Sequence, residues 1–442
     1  MKSIKKFTVI FLVMAMVLSL AACGGSGSTG TSTAESTASQ VSADTSTAAA
    51  TESAEPSVAP GKKGTIEFWT VFTGADGKSM QAIVDAYNAT SPDYTVNHRA
   101  IEANDLYLKM PLAVQSGQDV PDVCINHVER LRLFKESNFL TDLSPLLANS
   151  GIKAENYNPK GWSMSDLDGG HFGIPLDVHS FGLYVNMDLY AKYGNGALDD
   201  SVLTWDEINA SAEKAKADGI VPLGMTWLRV KFLASYAQLG GKLSTDGKTP
   251  DFNNDTAKKV LQNWLDEVKA GNTNKDGDTP WEMFLGGKIL YCPEGQWMYN
   301  NVKEAGMNAK FFDYPVFDAK VKGNWSSSHQ FVIPKDDKRS ADETKAALDF
   351  VNYVGNNGLE WAKAGQTPAH VSIKSIAEFK DMPQAFLANE NEELKIYDYK
   401  YYGYAVESLD KVLPEILWGR MSIENGLAQA VQETKDRIET EG

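Results

Sequence analysis

The residues that could carry catalytic chemistry do not fall into a familiar catalytic spacing. The chain contains no HExxH, no GxSxG and no GxGxxG set between a strand and a helix, and these motifs mark zinc hydrolases, serine hydrolases and dinucleotide sites. Gly247-Lys248-Thr249 ends like a phosphate-binding loop, but Lys242 stands where that loop requires glycine. These motifs therefore give no reason to expect an enzyme or a bound cofactor.

Metal-ligating side chains are also spaced unfavourably along the chain. The six histidines show no metal-ligand spacing, which argues against zinc. Asn272–Asp278 resembles half of a calcium-binding loop, but its twelfth position is Met283, with Glu282 beside it. The segment is either a polar turn or a calcium site, and we expect no bound metal.

The three cysteines are too few for a disulfide framework. Cys23 follows Leu20-Ala21-Ala22, which resembles a bacterial lipobox and implies lipid transfer to the Cys23 thiol and cleavage before it. The alternative is an ordinary signal with an incidental cysteine. Cys124 and Cys292 follow apolar runs and are expected to be buried free thiols, with a disulfide between them left open.

The N-terminal 64 residues read as an export signal and a tether. Residues 1–22 combine Lys5 and Lys6 with an apolar run of 14 residues, Phe7–Leu20, which is shorter than the roughly 20 that span a membrane. Residues 23–64 contain no aromatic residue, Leu or Ile, so they should form a disordered tether. We expect the chain on the outer face of the bacterial cytoplasmic membrane, held only by lipidated Cys23.

The composition of the remaining chain is that of a large folded body. The protein has 442 residues, 43% of them hydrophobic, a net charge of -16, and ten Trp that all lie between Trp69 and Trp418. A body from Thr65 onward exceeds one comfortable core, so two domains are expected. The acidic excess argues against nucleic-acid binding and favours a soluble monomer.

Strand and helix patterns alternate at the start of this body, which favours an α/β fold with parallel layers. Strands are predicted at Thr65–Val71, Tyr94–Ile101 and Asp122–Ile125, and helices at 80–87, 106–115, 204–216, 260–268, 346–354 and 423–438. Thr204 and Glu207 form a capping box at the start of the helix predicted over 204–216. Trp205 and Trp264 are expected in the core.

Seven segments add a resemblance that covers almost all of the body. They are Ile66-Glu67-Phe68-Trp69, Pro121-Asp122-Val123 after Gly117, Phe139–Leu143 with Asn138 in place of glycine, Gly173-Ile174-Pro175 with Leu183–Leu189, Thr204–Glu207, Phe284–Lys288 with Gly295-Gln296-Trp297, and Thr367-Pro368-Ala369 after Gly365. Taken in order, they resemble the extracellular solute-binding proteins of ABC sugar importers, the maltose-binding-protein-like family.

The resemblance implies a two-lobed periplasmic-binding-protein-like fold of type II, with a hinge that the chain crosses more than once. The N-lobe would combine 65–176 with 329–366, and the C-lobe 177–328 with 367–442. A carbohydrate, as an oligosaccharide, would lie between the lobes and pass to the transmembrane permease subunits of an ABC importer. Such a protein is not an enzyme.

A sugar site needs aromatic planes for C–H faces and polar side chains for hydroxyls. Residues that follow strands, lie at crossovers or match the family segments are the candidates, since open α/β sheets bind ligands at the carboxyl ends of their strands. They are Trp69, Phe72, Thr73, Asn126, His127, Glu129, Asp177, His179, Trp227, Glu294, Trp297, Trp325, Ser327 and His329. Arg130 follows the same strand as Asn126, and Tyr401, Tyr402 and Trp418 are further aromatic candidates near the rim of the C-lobe.

Two alternatives remain open on the sequence. The same fold could bind a non-sugar solute such as a polyamine, a phosphate ester or an iron complex. A surface glycosidase could use two of the many Asp and Glu residues.

Overall fold

The computed structural model describes residues 63–196, 198, 202–318, 323–389 and 394–441. The predicted signal peptide, Cys23 and the predicted tether up to residue 62 lie outside these residues. In the part of the chain that is described, no helix is both long and apolar enough to cross a membrane.

The strands and helices of the described residues alternate through most of the chain. The strands are β1 (Gly64–Thr70), β2 (Tyr94–Ala100), β3 (Val123–His127), β4 (Asp166–Leu167), β5 (Gly170–His171), β6 (Ile174–Pro175), β7 (His179–Asn186), β8 (Val221–Leu223), β9 (Ile289–Gly295), β10 (Ala309–Asp313), β11 (Asn324–Ser327), β12 (His329–Val332) and β13 (Leu394–Lys395). The helices are α1 (Ala75–Ala89), α2 (Ala103–Ser116), α3 (Leu131–Glu136), α4 (Ser144–Leu147), α5 (Pro159–Ser163), α6 (Met187–Tyr193), α7 (Trp205–Ala210), α8 (Ala212–Ala217), α9 (Leu228–Gln238), α10 (Asp255–Lys269), α11 (Pro280–Leu285), α12 (Tyr299–Glu304), α13 (Ala341–Asn356), α14 (Leu359–Lys363), α15 (Ala377–Lys380), α16 (Tyr402–Leu417) and α17 (Ile423–Glu441). Short 3₁₀ turns lie at Val128–Arg130, Ala154–Asn156, Gln296–Met298, Val371–Ser375 and Ala385–Asn389.

The first sheet has the strand order β2-β1-β3-β12-β6. β1 is parallel to β2 and to β3, whereas β12 is antiparallel to β3 and to β6. Parallel neighbours need a crossover connection, and α1 and α2 supply it. Phe68 of β1 packs its ring 5.1 Å from that of Phe350 on α13, so a helix that lies late in the sequence covers the first strand and closes this core.

The second sheet has the order β13-β11-β7-β9-β8, with β10 also paired to β7. β7 is its central strand, and all eight of its residues are buried. A separate hydrophobic core surrounds this sheet and includes Phe181 from β7, Trp264 from α10 and Leu409 from α16. Two sheets with separate cores make the chain a two-lobed α/β protein, as predicted.

Three segments of chain run side by side where the two sheets meet. The first connects β6 to β7, the second is the single residue Ser328 between β11 and β12, and the third follows α14. Leu176 N–H donates to His329 O at 2.8 Å, and Val178 N–H donates to Thr367 O at 3.0 Å. The chain therefore passes between the sheets more than once, while the residue boundaries predicted for the two lobes remain a proposal.

The predicted elements correspond to observed ones with one interruption. Ser211 divides the helix predicted over 204–216 into α7 and α8, so that single helix was wrong. The physical reason is a local tightening of the backbone, because the Ser211 N–H donates to Ile208 O, three residues back, at 3.2 Å. Ser211 is buried, and its hydroxyl lies 3.0 Å from the Tyr291 hydroxyl of β9. The capping box of Thr204 and Glu207 is present, and Trp205 is buried in the core as predicted.

The two cysteines of the described chain are free and fully buried. Cys124 belongs to β3 of the first sheet and Cys292 to β9 of the second. Burial raises the pKa of both thiols, which keeps them protonated and unreactive at neutral pH. This confirms the expected buried thiols and excludes the alternative of a disulfide between them.

Candidate functional site

A cavity of about 520 Å³ lies at the junction of the two sheets. The carboxyl ends of β1 and β3 open onto it from the first sheet. The loop before α9 and the turn after β9 reach it from the second. Its volume falls within the range of small-molecule sites, roughly 300–1,000 Å³.

Nine of the fourteen predicted site residues line this cavity. They are Phe72, His127, Glu129, His179, Trp227, Trp297, Trp325, Ser327 and His329. The further candidates Arg130 and Tyr402 line it as well. Positions after strands and at crossovers therefore led to residues that the fold gathers in one place.

The other five predicted residues do not appear among the residues that line the cavity. Trp69 belongs to a hydrophobic cluster of the first sheet, and Thr73 is exposed. Asn126, Asp177 and Glu294 are at most 1% exposed.

One wall of the cavity is aromatic. Trp227 is 47% exposed, and its ring stands edge-to-face with that of Trp297 at 5.9 Å. Trp325 Nε1–H donates to the Tyr402 hydroxyl at 3.3 Å, which fixes a third aromatic plane. The φ angle of Trp227 is +39°, a left-handed conformation that costs a bulky residue free energy. In this conformation the half-exposed Trp227 side chain lines the cavity.

The centre of the junction is a buried carboxylate with four donors. Asp177 Oδ1 accepts from His179 Nδ1 at 2.9 Å and from the His329 backbone N–H at 3.1 Å. Its Oδ2 accepts from His329 Nδ1 and from Trp361 Nε1, both at 2.8 Å. Burial opposes ionisation of Asp177, but His329 and His179 outweigh it and hold the carboxyl pKa well below its usual range. Asp177 thus orients residues from β7 and β12 instead of facing the cavity.

His127 stands beside this pair. It is the register partner of His329 in the antiparallel pairing of β3 with β12, and the two ring centroids are 4.7 Å apart. Burial is the main reason that the pKa of His127 lies well below the usual value, and protonation of His329 or His179 beside it would lower that pKa further. Burial likewise lowers the pKa of His179. These two imidazoles are therefore neutral at neutral pH.

The remaining wall carries carboxylates. Burial raises the pKa of Glu129 to about 7, and the Glu129 Oε2 accepts from the Ser327 hydroxyl at 2.7 Å. Asp76 and Asp410 also line the cavity, and burial raises the pKa of each. Hydrogen-bonding oxygens thus face the aromatic wall.

Two arginines reach the same cavity and are already paired. Arg130 Nη2 donates to Glu407 Oε1 at 3.0 Å, and Arg229 Nη1 donates to Asp410 Oδ2 at 2.8 Å. Because each guanidinium faces a carboxylate of α16, the cavity offers acidic and neutral groups more readily than free positive charge.

Sequence reasoning missed several lining residues. They are Val71, Asp76, Glu102, Ala103, Asn104, Tyr107, Arg229, Val230, Gln366, Val406, Glu407 and Asp410. Asp76 is at the start of α1 directly after β1, so the strand-end rule could have found it. Glu407 and Asp410 lie inside α16, and no local signal shows that this helix borders the cavity.

The turn at Asn272–Asp278 uses its oxygens within the fold. Asn274 Oδ1 accepts from Met225 N–H at 2.8 Å, and Asp278 Oδ2 accepts from Lys275 N–H at 2.7 Å. Asp276 forms an ion pair with Arg420. These contacts correspond to the polar-turn interpretation of the segment.

Comparison with known proteins adds a family. The family model described as "Bacterial extracellular solute-binding protein" matches residues 73–360. Similar relatives include the arabinooligosaccharide-binding protein of Bacillus subtilis (25% identical over 273 residues, covering 60% of this chain and 55% of that protein) and the maltodextrin-binding protein MdxE of the same organism (26% over 282 residues, 61% and 65%). The match thus spans less than two thirds of the length of these two relatives. An ABC transporter extracellular-binding protein of Pyrococcus horikoshii is 23% identical over 433 residues, with coverages of 87% and 90%.

Solved structures show the same fold. The cyclic alpha-maltosyl-1,6-maltose binding protein of Arthrobacter globiformis gives a TM-score of 0.69 at 19% identity, covering 85% of this chain and 99% of that one. The GacH receptor of Streptomyces glaucescens gives 0.72 at 17% identity, with 85% and 98% covered. At this identity the comparison supports the two-lobed architecture.

Proposed function

The chain belongs to the family of bacterial extracellular solute-binding proteins, and on that premise we propose that it captures a carbohydrate between its two lobes and hands it to an ABC importer. The ligand is an oligosaccharide, and the protein works as a monomer without turnover. It is held outside the cytoplasmic membrane by lipid on Cys23 and delivers its ligand to the transmembrane permease subunits.

The observation that carries the proposal is the aromatic wall that faces polar groups across the cavity. An indole face such as that of Trp227 can lie against the C–H face of a sugar ring. Hydroxyls at the ring edge need paired donors and acceptors, which Glu129 and Ser327 offer within the same cavity. Relatives named for arabinooligosaccharide and maltodextrin binding favour the same class of ligand.

The charge of the cavity bears on the alternatives. A phosphate ester would need unpaired arginine or lysine, and Arg130 and Arg229 are each committed to a carboxylate. The acidic wall formed with Asp76 and Glu129 would repel the phosphate. A carbohydrate is neutral and encounters neither difficulty.

The test is ligand binding by the purified full chain against a panel of arabino- and malto-oligosaccharides. Calorimetry should give one site, and bound ligand should raise the unfolding temperature because it binds only the folded state. Trp297→Ala should weaken affinity by about tenfold or more, as expected for loss of an aromatic contact. Trp418→Ala is the matched control, since Trp418 is also partly buried but does not line the cavity. Failure of every sugar, with a shift from peptides or phosphate esters, would refute the carbohydrate proposal.

Turnover and anchoring need separate measurements. Chromatography of the sugars after long incubation should show intact oligosaccharide, whereas cleavage that disappears on changing one cavity carboxylate would identify a glycosidase. Cys23→Ser should move the chain from the membrane fraction to the soluble fraction in the producing cell. Retention of that variant at the membrane would contradict the lipid anchor.

A further inference from the structure

Three histidines that lie far apart in the chain meet at the hinge end of the cavity. His127 ends β3, His179 begins β7 and His329 begins β12. One ring nitrogen from each lies within 4.8 Å of those of the other two. In the described part of the chain this is the one group of three or more histidine, cysteine or acidic side chains with such spacing.

The hydrogen bonds of Asp177 determine which nitrogens are free. An ionised carboxylate only accepts hydrogen bonds, so the Nδ1 atoms of His179 and His329 must both carry the proton that they donate to Asp177. In the neutral imidazole the lone pair is then on Nε2. A carboxylate that bonds the far nitrogen of a histidine is the usual support of a metal-binding imidazole, because it sets the tautomer and the ring orientation.

His127 has a comparable support. Its Nδ1 is hydrogen-bonded to the Tyr107 hydroxyl, and the same oxygen accepts from the His127 backbone N–H at 3.4 Å. Either partner could donate in the bond to Nδ1, and metal binding through Nε2 requires the tautomer in which Nδ1–H donates to the phenol oxygen, which has lone pairs for both contacts. With the proton on Nδ1, the Nε2 of His127 is the free nitrogen.

The cluster lies among carboxyl groups, which suits a dication. Asp177 is hydrogen-bonded to two of the three rings, and the Glu129 carboxyl lines the same cavity.

We propose that His127, His179 and His329 bind one divalent transition metal of the zinc class through their Nε2 atoms, with a fourth position open to the cavity. Three imidazoles with one open position form a familiar zinc arrangement. Zinc–nitrogen bonds of about 2.0–2.1 Å place tetrahedral ligand nitrogens about 3.4 Å apart. From separations of up to 4.8 Å, the nitrogens must therefore approach one another by up to about 1.4 Å on binding, through rotation of the rings or a small movement of β7 against β3 and β12.

The site spans the junction of the lobes. His127 and His329 belong to the first sheet and His179 to the second, so the metal would join the two sheets at the hinge. This inference does not depend on the identity of the solute, since the metal is tested alone.

The experiment is calorimetric titration of Zn²⁺ into the full chain, purified without a polyhistidine tag and stripped with a chelator. We expect one ion per chain, and Co²⁺ in its place should give the visible absorption bands of four- or five-coordinate cobalt. His179→Gln and His329→Gln should each lower affinity at least about 100-fold. His370→Gln is the control, since His370 is also buried but lies outside the cluster, and it should bind as the wild type does.

Asp177→Asn tests the supporting role without removing a ligand. An amide can still accept one hydrogen bond but lacks the charge, so affinity should fall about 10–100-fold. X-ray absorption at the zinc edge of the wild-type complex does not depend on any variant folding, and it should show three imidazole nitrogens. Absence of binding by the wild type, equal affinity in the histidine variants, or an edge spectrum of oxygen ligands alone would each overturn the proposal.

Discussion

Glu294→Gln is the substitution that best separates a ligand contact from a buried structural acid. Glu294 lies near the end of β9, is 1% exposed, and its Oε1 accepts from the Gly295 N–H at 3.0 Å. Burial raises the pKa of this carboxyl to about 8, against a lowering contribution from the Gly295 and Thr226 hydrogen bonds. A glutamine keeps the acceptor and the volume and has no charge to desolvate.

The sign and size of the effect follow from linkage. The folded state keeps the Glu294 proton up to about pH 8, whereas an unfolded glutamate loses it near its ordinary pKa of 4.5. In that window the unfolded state binds fewer protons, so the free energy of unfolding falls as pH rises, by about 1.4 kcal/mol per pH unit. Integrated from pH 5 to pH 8, titration of Glu294 lowers the free energy of unfolding by roughly 3 to 4 kcal/mol. Glu294→Gln removes this loss.

The assay is urea unfolding of wild type and variant at half-unit intervals from pH 5 to pH 8. Between pH 5 and pH 8, the free energy of unfolding of the variant should rise by several kcal/mol relative to that of the wild type. Glu304→Gln, a change at an exposed position, controls for the altered net charge and should leave the pH slope unchanged. Parallel slopes for Glu294→Gln and wild type would refute the burial argument, and a large loss of ligand affinity would show that Glu294 contacts the solute after all.

Further predictions concern stability and thiol chemistry. Trp264→Ala should lower the unfolding free energy by about 3–5 kcal/mol, because Trp264 is 2% exposed on the buried face of α10; denaturant unfolding measures this, and a loss below about 1 kcal/mol would contradict the packing. Ser340→Ala should cost about 1 kcal/mol, since it removes the acceptor for the Glu343 N–H at the start of α13; Ser340→Thr, which keeps the hydroxyl, should recover most of the loss in thermal scans. Cys124 and Cys292 should resist a thiol reagent in the folded protein and react on unfolding, as followed by mass spectrometry of the labelled peptides, and rapid labelling under native conditions would contradict their burial.

The sequence predicted most of the elements because local periodicity reports which face of an element is buried. The helix predicted over 80–87 lies within α1, and the apolar residues Met80, Ile83, Val84 and Tyr87, which recur at helical spacing, are the buried residues of that helix. The cavity residues that follow strands, such as Phe72 and His127, were found by the same local reasoning. The local composition of the sequence indicates where a strand ends, and the carboxyl ends of parallel strands lie at the same edge of their sheet.

The rest of the site depends on packing between distant segments. Glu407 and Asp410 are two acids on an ordinary amphipathic helix, and only the docking of α16 against the second core brings them to the cavity. The sequence did not predict the histidine cluster for the same reason. Spacing rules detect metal ligands that share one local element, whereas His127, His179 and His329 come from three strands that meet only through pairing of the sheets.

Asp177 and Glu294 show why polar residues near a site take different roles. Both are buried carboxyls predicted to touch ligand, and both are among the least exposed charged residues. Asp177 stays ionised because four donors surround it, and these donors offset the cost of burying an anion. Glu294 has two supporting hydrogen bonds and holds its proton instead. The number of hydrogen-bond donors around each acid determines that Asp177 orients the hinge histidines and that Glu294 stays neutral at neutral pH. The fold supplies these donors from distant segments, so no local sequence pattern indicates their number.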